Sequence, residues 1–502
     1  MSVKNRPTEF PQPKAYIRLG KHVNSDQKWN DVKFYPYTKP GVDPVFAVVG
    51  GRDVVVCRPT LDKNEPIQIL RWFSDPELGQ SEEDDFFTVD WSKDADTGDP
   101  LLLVSGKNPK IKILNVRADK LERTLIGHGD AVNHVEVSPQ NPSIVASVGR
   151  DHSVRIWNLD KKYEKNPCCV ICVGHQWDIQ STGFHQNGRY LLTGGMDEMI
   201  NLWALPELPN AHTGTDTVTR IDFPHFASTE IHGEGVDCTK FYGDLILSKS
   251  ASNNKIVLWR IAGFNSNVPI PGPSAAPPHI PTPGLFTWSA FSDSKHGAFE
   301  RLRTFDIPNT EWYFMRFSLF HQPFKRPLLA IGNAGSKIYF WDMQRLEEGE
   351  TLQEREGTVS RESSGNSLPP DTHAGVSYPS RVRASLKPGV ARPVPKRKAS
   401  YPYSAQARES STASAASTNV GSEFSVSTSA PSRLSHPPPL ARGSKGPKVD
   451  IGADPFWPIP PHKSFMMPKV QYTHRQVAWS VGGEWCVASG EQGMIGLYRR
   501  WE

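Results

Sequence analysis

Residues 127–159 read GHGDAVNHVEVSPQNPSIVASVGRDHSVRIWNL, and residues 174–205 repeat their pattern as GHQWDIQSTGFHQNGRYLLTGGMDEMINLWAL. Each stretch begins with Gly-His, continues with strand-like alternation around a polar turn, and ends in a strand that carries a Trp. A third copy begins IHGEGVDCTKF at Ile231 and ends IVLWRI at Ile261. Copies that recur at roughly 40 to 45 residues are typical of propeller blades.

Four weaker copies complete the series. They lie at residues 32–59, 86–116, 312–342 and 477–501, and each shows a strand, a loop, an apolar strand, a Gly-containing turn and a final strand. Three strong and four weak copies make seven blades of about four strands each, which close into a ring with few exposed edges. The sequence therefore predicts an all-β, seven-bladed WD40-type β-propeller.

The two strongest copies place a His, a hydroxyl, a carboxylate and a Trp at matching positions. This pattern predicts a buried hydrogen-bond relay in each blade, formed by His128, Ser147, Asp151 and Trp157, and by His175, Thr193, Asp197 and Trp203. His, Asp and a hydroxyl also occur together in hydrolases, but recurrence at blade spacing favours a structural role. In the third copy Asn253 or Asn254 replaces the carboxylate, which a catalytic triad would not tolerate.

Composition divides the chain at two insertions between repeats. Residues 1–30 form an N-terminal extension, 31–349 hold blades one to six with an exposed Pro-rich loop at 264–298 between blades five and six, and 451–502 hold closing strands and blade seven. Residues 350–450 are dominated by Ser, Pro, Ala, Gly and Arg. Such a segment buries too little apolar surface to offset its ordering entropy, so we predict a disordered insertion between blades six and seven.

The formal net charge of +4 is unevenly distributed. Residues 351–449 contain 14 Lys or Arg and 6 Asp or Glu, a net charge of +8, so the rest of the chain carries −4. The insertion therefore suits anionic partners, such as nucleic acid, and the body suits cationic ones. The cluster PKRKAS at 395–400 fits a nuclear-import or nucleic-acid patch, and it equally fits solvated charge.

The sequence argues against several other classes of protein. No run of about 18 uncharged apolar residues suggests a membrane span, and the polar N-terminus does not resemble a signal peptide. We find no GxSxG, HExxH, P-loop or Gly-rich dinucleotide motif, so we expect neither an enzyme nor a cofactor. Three of the six Cys crowd into CCVIC at 168–172, but no second ligand pair follows at zinc-site spacing, which favours buried thiols in a reducing compartment.

Residues 311–317, EWYFMRF, pose a separate question because Trp312 and Tyr313 are adjacent. Neighbouring side chains point to opposite faces of a strand and lie about 100° apart on a helix, so one core does not easily hold both rings. From the residues alone, the two rings either pack between blades or form part of a surface site.

Several segments resemble the embryonic ectoderm development (EED, extra sex combs) family. Beside the strong repeats, the resemblance rests on VDCTKFYGDLILSKS at 236–250, EWYFMRFS at 311–318 and LLAIGNAGSKIYFWDM at 328–343. It covers most of the chain outside the insertions and the first thirty or so residues. The resemblance implies a non-catalytic core subunit of Polycomb repressive complex 2, the histone H3 lysine-27 methyltransferase.

Partners and location follow from the same resemblance. Members of that family bind the trimethyl-lysine of a histone H3 tail in an aromatic cage on one face of the propeller. The opposite face holds a helix of the SET-domain subunit of the Enhancer of zeste type, whose activity is stimulated. A zinc-finger subunit of the VEFS type and a nuclear location are also implied, and no membrane is involved.

The resemblance assigns Trp312 and Tyr313 to the cage, with a third ring from Phe87, where the family usually has Tyr. A fourth ring is expected on blade one, where Trp29 and Phe34 are both candidates and Trp29 is preferred. A quaternary ammonium has no proton to donate, so it is bound by π-faces that each contribute about 0.5 to 2 kcal/mol.

Two alternatives remain open. Arg475 matches a family position beside the cage, where it would hold the peptide backbone, but an ordinary inter-blade salt bridge explains it equally well. The whole chain could also be a generic WD40 peptide-binding scaffold, such as a ubiquitin-ligase substrate receptor or a signalling subunit.

Overall fold

Seven β-sheets, each built on four antiparallel strands, follow one another along the chain in the computed structural model, which confirms the predicted all-β, seven-bladed propeller. The structure describes residues 10–20, 27–39, 41–75, 85–276, 287–291, 298–348, 454–467 and 471–500. Innermost strands of neighbouring blades pack side by side. The predicted disorder of 350–450 lies outside the described residues.

Each blade has four strands, named below in order from the innermost outwards, and the first strand of the chain, β1 (Gln12–Arg18), belongs to the last blade. Blades one and two contain β2 (Asp31–Phe34), β3 (Phe46–Gly50), β4 (Asp53–Pro59), β5 (Ile67–Ser74), and β6 (Phe86–Lys93), β7 (Pro100–Gly106), β8 (Ile111–Asn115), β9 (Lys120–Leu125). Blades three and four contain β10 (Val132–Val137), β11 (Ile144–Gly149), β12 (Ser153–Asn158), β13 (Cys168–Val173), and β14 (Ile179–Phe184), β15 (Tyr190–Gly195), β16 (Ile200–Ala204), β18 (Phe226–Ser228). Blade five contains β19 (Val236–Tyr242), β20 (Leu245–Ser250), β21 (Lys255–Ile261), β23 (Phe299–Asp306). Blades six and seven contain β24 (Ser318–Phe320), β25 (Leu328–Gly332), β26 (Lys337–Asp342), β28 (Lys463–Met466), and β29 (His474–Trp479), β30 (Trp485–Gly490), β31 (Met494–Arg499), β1.

Blades three, four and five each gain a fifth strand at the outer edge. Strand β17 (Thr219–Ile221) and strand β27 (Pro458–Ile459) add in parallel to blades three and five, and β22 (Thr287–Ser289) adds antiparallel to blade four. The short helix α1 (Met343–Glu348) follows β26. These additions cover edges that would otherwise present unpaired backbone groups.

Both insertions separate consecutive repeats as predicted, but the outermost strand of the blade comes after each of them. Strand β23 follows the Pro-rich loop at 264–298, and β28 follows the insertion at 350–450. Two described parts of the Pro-rich loop pack on blade four, where β22 pairs with β18 and Phe291 packs against Tyr190 with ring centroids 6.4 Å apart.

The N-terminal residues correct one expectation. Residues 1–30 are expected as an extension, yet β1 pairs along its length with β31 and closes the seventh blade. Ala15 and Ile17 pack against the core between blades seven and one, while Tyr16 meets Tyr498 edge-on at 6.0 Å. A lone strand without a neighbouring partner in the sequence carries no repeat pattern, so its place in a blade is not recognisable from the residues.

The structure brings the members of both relays together. His128 lies 2.9 Å from Asp151 Oδ2 through Nδ1 and 2.7 Å from Ser147 Oγ through Nε2, and the Trp157 indole N–H donates to the same hydroxyl at 2.8 Å. The equivalent distances in the next blade are 3.0, 2.7 and 3.0 Å, among His175, Asp197, Thr193 and Trp203. Both His are buried beneath the surface, as a structural role requires.

Neighbouring blades are also joined by hydrogen bonds from main-chain N–H groups to acceptor side chains on the innermost strands. The acceptor and donor residues are Asp31 with Val89, Thr88 with Val135, Asp90 with Val137, His134 with Thr182, and Glu136 with Phe184. Each bond satisfies a backbone donor at the blade boundary, where strand pairing cannot reach it.

Three His, of which His134 and His474 are buried and His232 is half-buried, are held neutral. Burial lowers the pKa of His134 well below its ordinary value, and Arg316 and Lys240 lower it further. Burial likewise lowers the pKa of His232 to about 3 and the pKa of His474 to about 4. His134 uses its neutral Nδ1 to accept the Thr182 N–H at 3.1 Å.

We expect the free energy of unfolding to fall by several kcal/mol between pH 7 and pH 5. Below about pH 6.5 these His bind protons in the unfolded chain but not in the folded protein. Each therefore lowers the free energy of unfolding by up to about 2 kcal/mol at pH 5. Burial raises the pKa of Asp85 to about 6, which opposes the loss by about 1 kcal/mol. Urea unfolding at pH 7, 6 and 5 measures the effect, and a pH-independent stability would contradict the neutral state of the three rings.

Candidate functional site

Strand direction sorts the loops onto two faces. Because successive strands of a blade are antiparallel, the connection into the innermost strand and the turn between the second and third strands lie on the same face. We call this side the entry face, and the side that carries the remaining loops the exit face. The Gly-His dipeptides and the EWYFMRF segment both belong to the entry face.

The innermost strands share an irregularity near the entry face. In blades two, three, four, five and seven, the pairing of the first strand with the second skips one residue close to its entry end. The skipped residues are Phe87, Asn133, Gln180, Asp237 and Arg475. A bulge of this kind redirects a side chain and is common beside functional sites.

Blade six contributes the loop 311–317 in place of a bulge. The Phe314 ring stacks on the Phe87 ring of blade two, with centroids 5.8 Å apart and an angle of 30° between the planes. Phe314 has a φ of +63°, in the left-handed region that few non-Gly residues adopt. Such a conformation persists only where the surroundings impose it.

Arg316 is one of the groups that impose the left-handed conformation of Phe314. This buried guanidinium donates through Nη2 to the Asn133 carbonyl oxygen at 3.0 Å and to the Gln180 carbonyl oxygen at 2.9 Å. Its central carbon also lies 5.7 Å from the centroid of the Phe314 ring. Blade six is thereby bonded to blades three and four across the centre of the ring.

Arg475 holds the same loop from blade seven. Its Nη1 donates to the Tyr313 carbonyl oxygen at 3.0 Å, and its own carbonyl oxygen accepts the Arg316 N–H at 2.9 Å. Its Nη2 pairs with Glu491 at 2.5 Å. The ion pair therefore lies within blade seven, and the contact between blades is to the loop that carries the rings.

The start of the loop is tied to blade five. The Oδ1 atom of Asn254 accepts the Thr310 N–H at 2.8 Å, and its Nδ2 donates to Glu311 at 2.5 Å. Asn254 is one of the two candidates for the lost carboxylate of the third relay. In that third relay His232 Nε2 still lies 2.8 Å from Ser248 Oγ, and the Trp259 indole N–H donates to the same hydroxyl at 2.9 Å.

Trp312 and Tyr313 lie at the surface. Their side chains are 59% and 38% exposed, so inter-blade packing does not account for them. The ring that meets Phe87 is Phe314, which the residue pattern did not indicate. Adjacent rings diverge in a predictable way only on a regular strand or helix, whereas here a positive φ turns the third ring of the run toward the centre.

The structure contradicts the prediction that Trp29 supplies the fourth ring. It is 0% exposed, its indole N–H donates to the Leu19 carbonyl oxygen at 3.0 Å, and it meets Trp72 edge-on at 6.4 Å. The other candidate, Phe34, is buried against Phe46. Asn30 occupies this part of the entry face instead and donates to the Phe86 carbonyl oxygen at 2.7 Å.

Three of the skipped residues carry a simple signal in the sequence that could have located them. Asn133, Gln180 and Asp237 each follow the His of their repeat by five residues. Asp237 forms a buried ion pair with Lys249 at 3.1 Å. Burial raises the pKa of the Asp237 carboxyl, opposed by Lys249 and Arg316.

Among the described residues, neither the cysteines nor groups of His, Asp and Glu form a second site. Five Cys are buried and Cys168 is half-buried, and none of the six forms a disulfide. Burial raises the pKa of Cys172 and of Cys238, which leaves these thiols protonated. No group of three or more His, Cys, Asp or Glu within the described ranges could hold a metal ion. No described helix has the length and hydropathy needed to cross a membrane.

Comparison with known proteins points in one direction. The WD40 family profile (WD domain, G-beta repeat) matches residues 119–158 and 166–204. Polycomb protein EED of Chaetomium thermophilum is 37% identical over 522 aligned positions, covering 94% of this chain and 90% of that protein. Polycomb group protein FIE2 of Zea mays is 30% identical, covering 66% and 80%. A chain in the Chaetomium thermophilum PRC2 structure with H3K27me3 and H3K27M superposes with a TM-score of 0.71 at 32% identity, covering 98% of both chains.

Proposed function

The chain belongs to the EED family of Polycomb proteins, and from that premise we propose that it is a non-catalytic scaffold subunit of a Polycomb repressive complex 2 that binds trimethyl-lysine. The observation that carries the proposal is the group of rings on the entry face. Phe314 contacts Phe87 there, next to the exposed Trp312 and Tyr313. Such a subunit acts in the nucleus, in gene silencing.

The proposed ligand is a histone H3 tail trimethylated on the lysine-27 type of site. The related Chaetomium thermophilum complex contains H3K27me3. One feature of this chain supports the same ligand class: aromatic faces are gathered at one place, and such faces bind a quaternary ammonium without an acid, a base or a metal. Arg475 then acts as a positioning residue through its bond to the Tyr313 carbonyl oxygen.

The rings must separate when the ligand enters. At 5.8 Å between centroids Phe87 and Phe314 are already in contact, within the range of about 4.5 to 7 Å for packed aromatic pairs, so no methylammonium fits between them. Parting them costs about 0.5 to 1.5 kcal/mol. Cation–π attraction returns about 0.5 to 2 kcal/mol for each ring that faces the cation, so two or three rings outweigh the cost.

The exit face is the proposed docking surface for the SET-domain subunit. Near blades six, seven and one, its loops expose the large apolar side chains of Val42, Leu61 and Phe324. Val42 lines two surface depressions that lie between blades six, seven and one. Leu61 lines the first of them, and Phe324 is flanked by Pro323 and Lys325, which line the second. Apolar side chains beside concave surface suit the apolar stripe of a helix. A VEFS-type zinc-finger subunit and nucleic-acid contacts through residues 350–450 complete the proposed set of partners.

We expect Phe314→Ala and Trp312→Ala each to weaken binding of a trimethyl-lysine H3 peptide by roughly 2- to 30-fold, the loss of one cation–π contact. Calorimetric titration of the purified chain with the trimethylated peptide and its unmodified version measures the loss. Ile126→Ala removes an apolar side chain that is exposed on the same face outside the ring group, and it serves as the matched control.

Equal affinity for trimethylated and unmodified peptide would favour the generic WD40 scaffold and contradict the reader function. Unchanged affinity in Phe314→Ala with an intact preference for methylation would remove that ring from the cage. Circular dichroism of each variant separates a binding defect from unfolding.

We expect Phe324→Asp combined with Val42→Asp to reduce co-purification of a SET-domain partner at least tenfold, since two charges would have to be desolvated in an apolar contact. Ile126→Asp on the entry face is the control and should leave the yield of partner unchanged. Retention of the partner by the double variant would place its docking surface elsewhere.

A further inference from the structure

Asn30 holds the position in blade one that Phe87 holds in blade two. A Cβ atom placed on Gly106, the last residue of β7, would lie 2.0 Å from the carbonyl oxygen of the residue two places before Phe87. A Cβ atom placed on Gly50, the last residue of β3, would lie 1.7 Å from the carbonyl oxygen of the residue two places before Asn30. The innermost strands of the two blades therefore approach their second strands in the same register.

The next residue of each innermost strand supports this register. Asp31 accepts the Val89 N–H of blade two at 3.0 Å. Thr88 accepts the Val135 N–H of blade three at 3.2 Å. Because each acceptor directly follows one of the two compared residues, Asn30 is the counterpart in blade one of the skipped residues near the centre of the entry face.

Asn30 borders the ring group, which consists of Phe87, Trp312, Tyr313 and Phe314. Its Nδ2 atom donates to the carbonyl oxygen of Phe86, the residue before Phe87, at 2.7 Å. On the other side, the innermost strand of blade one packs against that of blade seven, where Arg475 donates to the Tyr313 carbonyl oxygen. Asn30 thus lies between the blade that carries one ring of the group and the blade that holds the loop with the other three.

The Asn30 amide presents an acceptor that no described residue uses. The bond to a carbonyl oxygen identifies the nitrogen end of the amide, which fixes Oδ1 as the other end. Oδ1 accepts no hydrogen bond from the part of the chain that the structure describes, and unlike Asn133 Oδ1 it is not enclosed, since Asn30 is only half-buried. An amide that already donates through its nitrogen is a stronger acceptor at its oxygen.

The methylation state of a lysine decides whether it can use this oxygen. A trimethylammonium has no N–H, so beside Asn30 it would displace water from Oδ1 and return no hydrogen bond. A dimethylammonium keeps one N–H, and donating it to Oδ1 gives a hydrogen bond strengthened by charge, which raises affinity about tenfold or more. The dimethyl form loses one methyl group against the rings, which lowers affinity only about 4-fold.

We propose that Asn30 is a specificity-determining residue, through which the ring group binds dimethyl-lysine at least as tightly as trimethyl-lysine. This inference rests on the proposed reader function and defines which methylation states the site accepts. A fourth ring on blade one, which the sequence predicted, would instead reward the third methyl group. The polar side chain at that place reverses the preference.

The test titrates the purified chain with four versions of one H3 peptide, which carry unmodified, monomethyl-, dimethyl- or trimethyl-lysine. We expect the dimethyl peptide to bind as tightly as the trimethyl peptide or up to about tenfold more tightly. Asn30→Leu keeps a side chain of similar size and removes the acceptor. In this variant the trimethyl peptide should bind about 4-fold more tightly than the dimethyl peptide, the effect of one methyl group.

Gln27→Leu is the matched control. Gln27 lies on the same connection as Asn30 and donates through Nε2 to the Gly50 carbonyl oxygen at 2.8 Å, beside the turn between β3 and β4. The substitution removes the same kind of bond, from a side-chain amide to the main chain, without removing the Asn30 oxygen. The ratio of dimethyl to trimethyl affinity should match that of the unchanged protein.

The outcomes separate the two claims. A trimethyl peptide that binds the unchanged protein more tightly than the dimethyl peptide overturns the inference and leaves the reader function standing. Equal binding of all four peptides overturns the reader function itself. A ratio that stays the same in Asn30→Leu, or that shifts equally in Asn30→Leu and Gln27→Leu, would also overturn the role of the Asn30 oxygen. If circular dichroism shows that Asn30→Leu is unfolded, the peptide series on the unchanged protein decides.

Discussion

One buried guanidinium determines the arrangement of the entry face. Arg316 extends from blade six to main-chain oxygens of blades three and four, and removing it would take one donor from each of two buried carbonyl groups, at about 1 to 3 kcal/mol each. The residue two places earlier, Phe314, is thereby held against Phe87 of blade two. Arg475 of blade seven fixes the main chain between them. The loop that carries the rings thus has its conformation set by five other blades, because Asn254 of blade five also holds its start.

A rigid scaffold that presents a site on loops is a common solution for binding proteins, and here the scaffold and the site use the same positions. In five of the blades the innermost strand pairs regularly along most of its length and skips one residue at its entry end. The regular part is buried and joins neighbouring blades. The skipped residue supplies a ring, an amide or a charge near the entry face, so the blades can share one core design and differ at the site.

The sequence predicted the fold well because its strongest pattern is also a physical interaction. His, hydroxyl, carboxylate and Trp recur in order since each closes one hydrogen bond of a buried relay. The site was harder to predict. A Trp at the start of a blade looks the same whether it is core or surface, which is why Trp29 was misassigned. Phe314 was missed because its direction depends on one backbone angle that residue patterns do not report.

The seventh blade joins a strand from the beginning of the chain to three from its end. During synthesis on the ribosome, β1 emerges early, whereas its partner β31 emerges after nearly all other strands. Until then β1 has no strand to pair with, and blade one lacks the neighbour that buries Trp29. The ring can close only after translation has passed β31. Until then the nascent protein presents an open sheet edge, which can pair with a wrong strand and can be bound by chaperones.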